Sequence, residues 1–171
     1  MNTIHIQYIT INKIELILGA YEGKLCLLDY SYRVKRDTID NRIQKALKTK
    51  YVEQNDEVIQ KTIIQLREYF LNKREKFDIP LLLIGSTFQK SVWQALLKIP
   101  YGKTNTYKEQ SISIGNEKAV RAVANANGAN AIAIIIPCHR IIGTNGKLTG
   151  YAGGLEIKQY LLDIESKGIK Q

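Results

Sequence analysis

At 171 residues with 44% hydrophobic content, the chain can bury one core or two small ones, and no apolar run reaches the roughly 18 residues of a membrane helix. Two cysteines make no disulfide framework, and two histidines argue against a zinc site built by the protein, so no metal is expected. The net charge of +9 is concentrated late, with 14 basic and 11 acidic residues before residue 85 against 11 and 5 from there on; this suits a polyanionic partner such as DNA, and equally a merely soluble basic protein.

Met1 to Thr10 has no basic stretch followed by an apolar core, so no signal peptide is expected. The expected setting is the reducing cytoplasm, which keeps a thiol free. Ile4 to Thr10, Ile14 to Tyr21 and Lys24 to Tyr30 are predicted strands. Asn12-Lys13 and Glu22-Gly23 between them suit tight hairpins, giving a β-meander. Cys26 falls inside the third strand and reads as core. Ile39, Ile43 and Leu47 mark an amphipathic helix, and Val58, Ile59, Ile63, Leu66 and Phe70 a longer one. Phe77 to Ile84 is again extended, with Pro80 placing it at a sheet edge. No catalytic constellation stands out in this half. The spacing predicts two domains, 1–84 and 85–171, with the boundary near Gly85.

In the second half, Ser86 and Gln89 have capping-box spacing and open a helix with Phe88, Val92, Trp93, Leu96 and Leu97 on its apolar face. Pro100 and Gly102 end it. Thr106 and Glu109 repeat the capping-box spacing for a short helix, Gly115 makes a turn, and Asn116 can cap a further helix to Asn127 that stops at Gly128. Helix, turn, helix and then an extended Ile132–Ile142 region predict a winged helix-turn-helix, so the whole chain reads as α+β. The second helix, NEKAVRAVANAN, carries one arginine, Arg121, among alanines and asparagines. A major-groove reader needs several long polar side chains. Small residues instead allow the close backbone approach of a minor-groove binder, and one long side chain could enter the base stack. The competing reading is a helix whose alanines simply pack on a core.

Ile132 to Ile142 reads IAIIIPCHRII. Five apolar residues predict a buried strand, which Pro137 ends, leaving Cys138 beside His139 and Arg140. An imidazole and a guanidinium next to a thiol form the electropositive setting that favours a thiolate. Alternatively Cys138 is a small buried hydrophobe and His139 a satisfied core residue. Gly143 to Gly146 is a turn, and Gly150-Tyr151-Ala152-Gly153-Gly154 is a small-residue loop able to admit a flat base. The last helix has Ile157, Leu161 and Ile164 on one stripe, with Glu165 on or beside it. A buried carboxylate needs a partner, and His139 is the candidate.

Taken together, FQKSVWQALLKIPYGKT, the Tyr107 helix, KAVRAVANA, IPCHRI and GYAGG followed by Lys158 and two leucines resemble the O(6)-alkylguanine-DNA alkyltransferases, also called methylated-DNA–protein-cysteine methyltransferases. The resemblance spans Phe88 to Glu165. Asn116, Ser111 and Ala131 stand where the family usually has proline, alanine and proline. Cys138 stands where the family's alkyltransferase-like branch, which cannot accept alkyl groups, has tryptophan.

The resemblance implies a ribonuclease-H-like small sheet-and-helix domain in front of a winged-helix domain. It implies that Cys138 accepts the alkyl group, that His139 deprotonates it through a water, and that Glu165 orients His139. Asn130 would brace the turn at the site, and Tyr107 would donate to the guanine ring. Arg121 would fill the gap left by an extruded base, with Ala119, Ala122, Asn127 and Arg140 beside it on DNA. Tyr151, Ala152, Gly153, Ile141 and Trp93 would line the pocket. The implied partner is double-stranded DNA carrying alkylated guanine, with O(4)-alkylthymine as a second substrate, acted on by a monomer away from membranes. The alternatives are a winged-helix reader of alkylated DNA that does no chemistry, and a cysteine hydrolase.

Overall fold

In this computed structural model residues 2–170 are described; Met1 and Gln171, the outer ends of the two expected domains, lie outside the described residues. The residues divide into two units, the first reaching Ile84 and the second running from Gly85 to Gly168; Ile169 and Lys170 group with the first, where Lys170 N–H donates to the Asn72 carbonyl at 2.7 Å.

In the first unit, apolar residues build β1 (Ile4–Ile11), β2 (Ile14–Tyr21) and β3 (Lys24–Tyr30) as the predicted meander. Asn12 and Lys13 have φ of 49° and 68°, and Glu22 and Gly23 have 49° and 78°. Positive φ at both central residues is the type I′ turn, whose twist matches that of paired strands. The ladders are antiparallel, with Ile6 opposite Gly19 and Leu18 opposite Leu28. Sheet order is β3-β2-β1, with β4 (Tyr51–Glu53) beyond β1. β2 is interior, and Leu16, Ile17, Leu18 and Ala20 are buried on both of its faces. Each buried leucine or isoleucine contributes about 1.5–3 kcal/mol. Cys26 is core as expected, and burial pushes its thiol up to about 12.

The helices are α1 (Arg36–Leu47) and α2 (Glu57–Phe70). Asp56 caps α2 by accepting from Val58 N–H at 2.9 Å, and α2 packs on β1 to β3 through Ile59 and Leu66. Two features depart from expectation. β4 (Tyr51–Glu53) adds a parallel edge to β1; three residues are too few to show strand periodicity. Phe77–Ile84 forms no strand; a bridge joins Leu81 to Leu25 on the edge strand β3, with Leu25 N–H donating to Pro80 O and Leu82 N–H to Leu25 O, both at 2.8 Å. Pro80 contributes a carbonyl, the half of a ladder it can still supply.

The second unit begins with α3 (Thr87–Leu96), whose predicted capping box forms: Gln89 N–H donates to Ser86 Oγ at 3.1 Å and Ser86 N–H to Gln89 Oε1 at 2.9 Å. Val92, Trp93 and Leu96 are buried. Phe88 and Leu97 lie at the helix ends, beyond the buried stripe, and are exposed. A second capping box, Thr106 with Glu109, opens α4 (Tyr107–Ser113). Gly115, at φ 80°, makes the turn. α5 (Val120–Gly128) starts later than Asn116 predicts. Residues 116–119 form a turn closed by Ala119 N–H on Asn116 O at 3.1 Å, so Ala119 takes the cap position without a side-chain cap. Gly128 is the last helical residue and Ala129 the C-cap. α4 and α5 are the helix-turn-helix pair.

The expected Ile132–Ile136 strand does not form. All five residues are buried, but the backbone folds into tight turns: Ile135 N–H donates to Ala133 O at 2.7 Å, Ile136 N–H to Ile132 O at 3.1 Å, and Ile134 sits at φ 70°. An apolar run specifies burial, not extension, once turns and side chains satisfy its backbone. Extended structure is confined to β6 (Ile141–Ile142), parallel to β5 (Asn105–Thr106). The turn after β6 closes with Gly143 N–H on Lys147 O at 3.0 Å, and α6 (Leu155–Ser166) completes the unit.

Candidate active site

The tight turns end at Pro137, and Cys138–Arg140 form one turn of 3-10 helix. Asn130 holds this geometry together from one side chain. Its Oδ1 accepts from Ile132 N–H at 2.9 Å; its Nδ2 donates to the Ile136 carbonyl at 2.9 Å and to Cys138 Sγ at 3.4 Å. Cys138 is buried, with 9% of the residue still exposed against 1% for Cys26. An N–H donor aimed at sulfur favours the anion over the thiol.

Adjacent residues of an extended strand would point Cys138 and His139 apart. The 3-10 turn instead sends His139 inward, where it is fully buried against α6. His139 Nε2 lies 2.6 Å from Glu165 Oε2, the pairing that the sequence predicts. The nitrogen facing a carboxylate carries the proton, so Nδ1 of a neutral imidazole keeps its lone pair. Nδ1 is buried and has no protein partner among the described residues. Burial holds the imidazole below its ordinary value of 6.5, against the pull of Glu165.

Glu165 is shared. Arg140 Nε donates to its Oε1 at 2.7 Å and Nη2 to Oε2 at 3.1 Å, while Nη1 donates to the Ile99 carbonyl at 2.7 Å. Burial alone would raise this carboxyl; the hydrogen bonds and charges of His139 and Arg140 outweigh it and hold the group well below the usual carboxylate range. Arg140 was expected on DNA. It is buried, with its guanidinium donors turned inward, because a buried carboxylate needs a counter-charge more than a surface does.

Two more predicted residues are placed elsewhere. Trp93, expected to line the pocket, is buried, and its indole N–H donates to the Ala126 carbonyl at 2.8 Å, fastening α3 to α5. Asn127, expected on DNA, is buried in a reciprocal pair with Gln110 at 2.7 and 2.8 Å, fastening α4 to α5. Ile141 is buried in β6, and its N–H donates to the Cys138 carbonyl. Arg121 and Ala122 are exposed, and Ala119 is half-buried, on the first turn of α5. Gly153 is buried, and Tyr151 and Ala152 are half-buried, ahead of α6.

Sequence reasoning missed Lys158 as a buried charge. It is fully buried, its Nζ donates to the Thr149 carbonyl at 2.8 Å, and it interacts electrostatically with Cys138. Burial lowers its ordinary value, and the Cys138 interaction opposes this. Lys158, Leu161 and Glu165 follow i, i+3, i+7 spacing, a signal that could have placed both charges on the buried stripe. Tyr107 also reaches Thr149: its hydroxyl donates to the Thr149 carbonyl at 3.2 Å and accepts from Thr149 Oγ1 at 3.2 Å.

Residues 87–167 match the family model for the DNA-binding domain of 6-O-methylguanine DNA methyltransferase. A methylated-DNA–protein-cysteine methyltransferase of Methanosarcina barkeri is 54% identical over 117 residues, covering 68% of this chain and 74% of that one. The crystal structure of Mycobacterium tuberculosis OGT in complex with DNA superposes with a TM-score of 0.81 at 38% identity, covering 95% of this chain and 93% of that one. That of Mycobacterium tuberculosis O6-methylguanine methyltransferase gives 0.81 at 36% identity, covering 99% and 96%. Likeness of sequence in the second unit and of fold along nearly the whole chain leads to one assignment: the chain belongs to the methylated-DNA–protein-cysteine methyltransferase family.

Proposed function

We propose that this protein repairs DNA by direct reversal, moving the alkyl group of O(6)-alkylguanine irreversibly onto Cys138. The observation that carries the reading is the ordered set Asn130, Cys138, His139 and Glu165. It gives the Cys138 sulfur an amide donor from Asn130 and sets next to it in the chain a buried imidazole paired with Glu165. The second unit both binds DNA and accepts the alkyl group. The relatives' names support the reaction, and the tuberculosis complex supports DNA as the partner.

A base inside duplex DNA cannot reach a buried-edge thiol, so it leaves the stack at a cost of a few kcal/mol. Arg121, exposed on α5, enters the space left behind and offsets the lost stacking. The small side chains Ala119 and Ala122 let the helix approach the groove closely. The uncapped first turn of α5 offers free N–H groups to a phosphate.

A water between Cys138 Sγ and His139 Nδ1 carries the thiol proton to the imidazole, since a buried lone pair requires a donor. Glu165 stabilises the resulting imidazolium. Lys158 and the Asn130 amide stabilise the thiolate. Sulfur forms its bond to the alkyl carbon as the carbon–O6 bond breaks, and guanine departs with the electron pair and takes up a proton. Tyr107 donates to the guanine ring and disperses the charge developing there. The product is a thioether with no hydrolytic exit, so each molecule acts once, as a monomer, without a cofactor. O(4)-alkylthymine, with the same alkyl–oxygen bond, is a second substrate.

Incubation with O(6)-methylguanine duplex is expected to add about 14 Da, one CH2, to the Cys138 peptide alone, at no more than one equivalent. Cys138→Ala remains unmodified. Intact binding without the adduct would identify a passive reader of alkylated DNA, and product in excess of protein would identify a hydrolase; either outcome overturns the proposal.

A further inference from the structure

The Thr149 carbonyl is where α4 and α6 meet the loop after β6. It accepts from the buried Lys158 ammonium at 2.8 Å and from the Tyr107 hydroxyl at 3.2 Å. A carbonyl oxygen has two lone pairs, and here both are engaged. The ammonium makes the shorter, charge-assisted contact, so the phenol holds the weaker one. The phenol proton is therefore easily diverted to an incoming base. Thr149 Oγ1 meanwhile donates to the phenol oxygen at 3.2 Å. A donor into a hydroxyl oxygen strengthens that hydroxyl as a donor, because linked hydrogen bonds polarise one another.

Resting on the alkyl-transfer reading above, we propose that Thr149 is a positioning residue for the reaction. Its side-chain hydroxyl fixes and polarises the Tyr107 phenol, which then donates to guanine as that base leaves. Lys158 keeps the Thr149 backbone in place while the phenol changes partner. Thr149 touches no reacting atom and acts through Tyr107.

The side-chain link and the backbone link can be separated. Thr149→Val removes the hydroxyl, keeps the shape and leaves the carbonyl to Lys158; Thr149→Ser restores the hydroxyl. Thr149 is exposed, so neither change disturbs the core. The rate of Cys138 methylation at saturating methylated duplex is compared with the dissociation constant for the same duplex. The expected result for Thr149→Val is a rate about three- to tenfold lower with unchanged binding, and near-wild-type behaviour for Thr149→Ser. In a Tyr107→Phe background, Thr149→Val is expected to have no further effect, since the two act as one unit. A wild-type rate for Thr149→Val, or an equal loss in the Tyr107→Phe background, overturns the proposal while leaving alkyl transfer intact. Absence of any methylation by the wild type overturns the functional reading and this proposal together.

Discussion

Glu165 serves His139 and Arg140 from one carboxylate, and each partner depends on the other through it. Glu165→Gln leaves a guanidinium buried without its counter-charge. Breaking one member of a buried pair is expected to destabilise by about 3–5 kcal/mol, read as a lower urea midpoint at unchanged slope. The same cluster sets the pH response. His139 is held below 6.5 and Glu165 below 4.5, so the unfolded chain binds more protons than the folded one in both ranges. The stability contributed by His139 and Glu165 should be level above pH 6.5, fall as pH drops below that value, and fall further below 4.5. A melting series from pH 8 to 4 tests this; a rise in melting temperature on acidification would contradict it. The His139–Glu165 contact was legible in the sequence because a carboxylate on an apolar stripe demands a partner. Arg140 was misread because a guanidinium beside a reactive thiol looks the same whether it faces phosphate or carboxylate.

The turn from Ala129 to Pro137 is the element on which the site depends, and it is strained. Ile134 is β-branched yet adopts φ 70°, a conformation that holds only when its surroundings impose it. Asn130 is part of those surroundings, tying Ile132, Ile136 and Cys138 to one amide. Glycine at 134 relieves the strain while losing the buried side chain; glycine at 136 loses the side chain without that relief. Both isoleucines are about equally buried, so Ile134→Gly should be less destabilising than Ile136→Gly by about 1–3 kcal/mol in urea unfolding. Equal losses would remove the strain from the account. Elements with a local code were legible: both type I′ hairpins and both capping boxes form where their residues predict. Elements set by a partner strand, or by turn and side-chain contacts without a residue code, were not. β4 exists because β1 has a free edge, α5 starts late because residues 116–119 close a turn, and Ile132–Ile136 turns because Asn130 satisfies its backbone.

Across the molecule, charge and chemistry fall in the same half. The second unit, Gly85–Gly168, carries 10 basic and 5 acidic residues, a net +5, and holds Arg121 and Cys138. Under the proposed function, phosphate contacts made by this unit depend on salt and carry no sequence information, so discrimination would rest on the flipped base. The second unit begins at Gly85, where the boundary is expected, whereas the grouping of Ile169 and Lys170 with the first, where Lys170 N–H meets the Asn72 carbonyl, has no local sequence signal. Each unit also holds one cysteine, and their surroundings differ. Cys26 is sealed between strands with its thiol pushed up to about 12, while Cys138 stands at a solvent margin beside a cation. The repair state of a sample can therefore be counted by dye: native protein should titrate one sulfhydryl with Ellman's reagent before meeting damaged DNA and none afterwards, with the sheet's cysteine appearing only in denaturant.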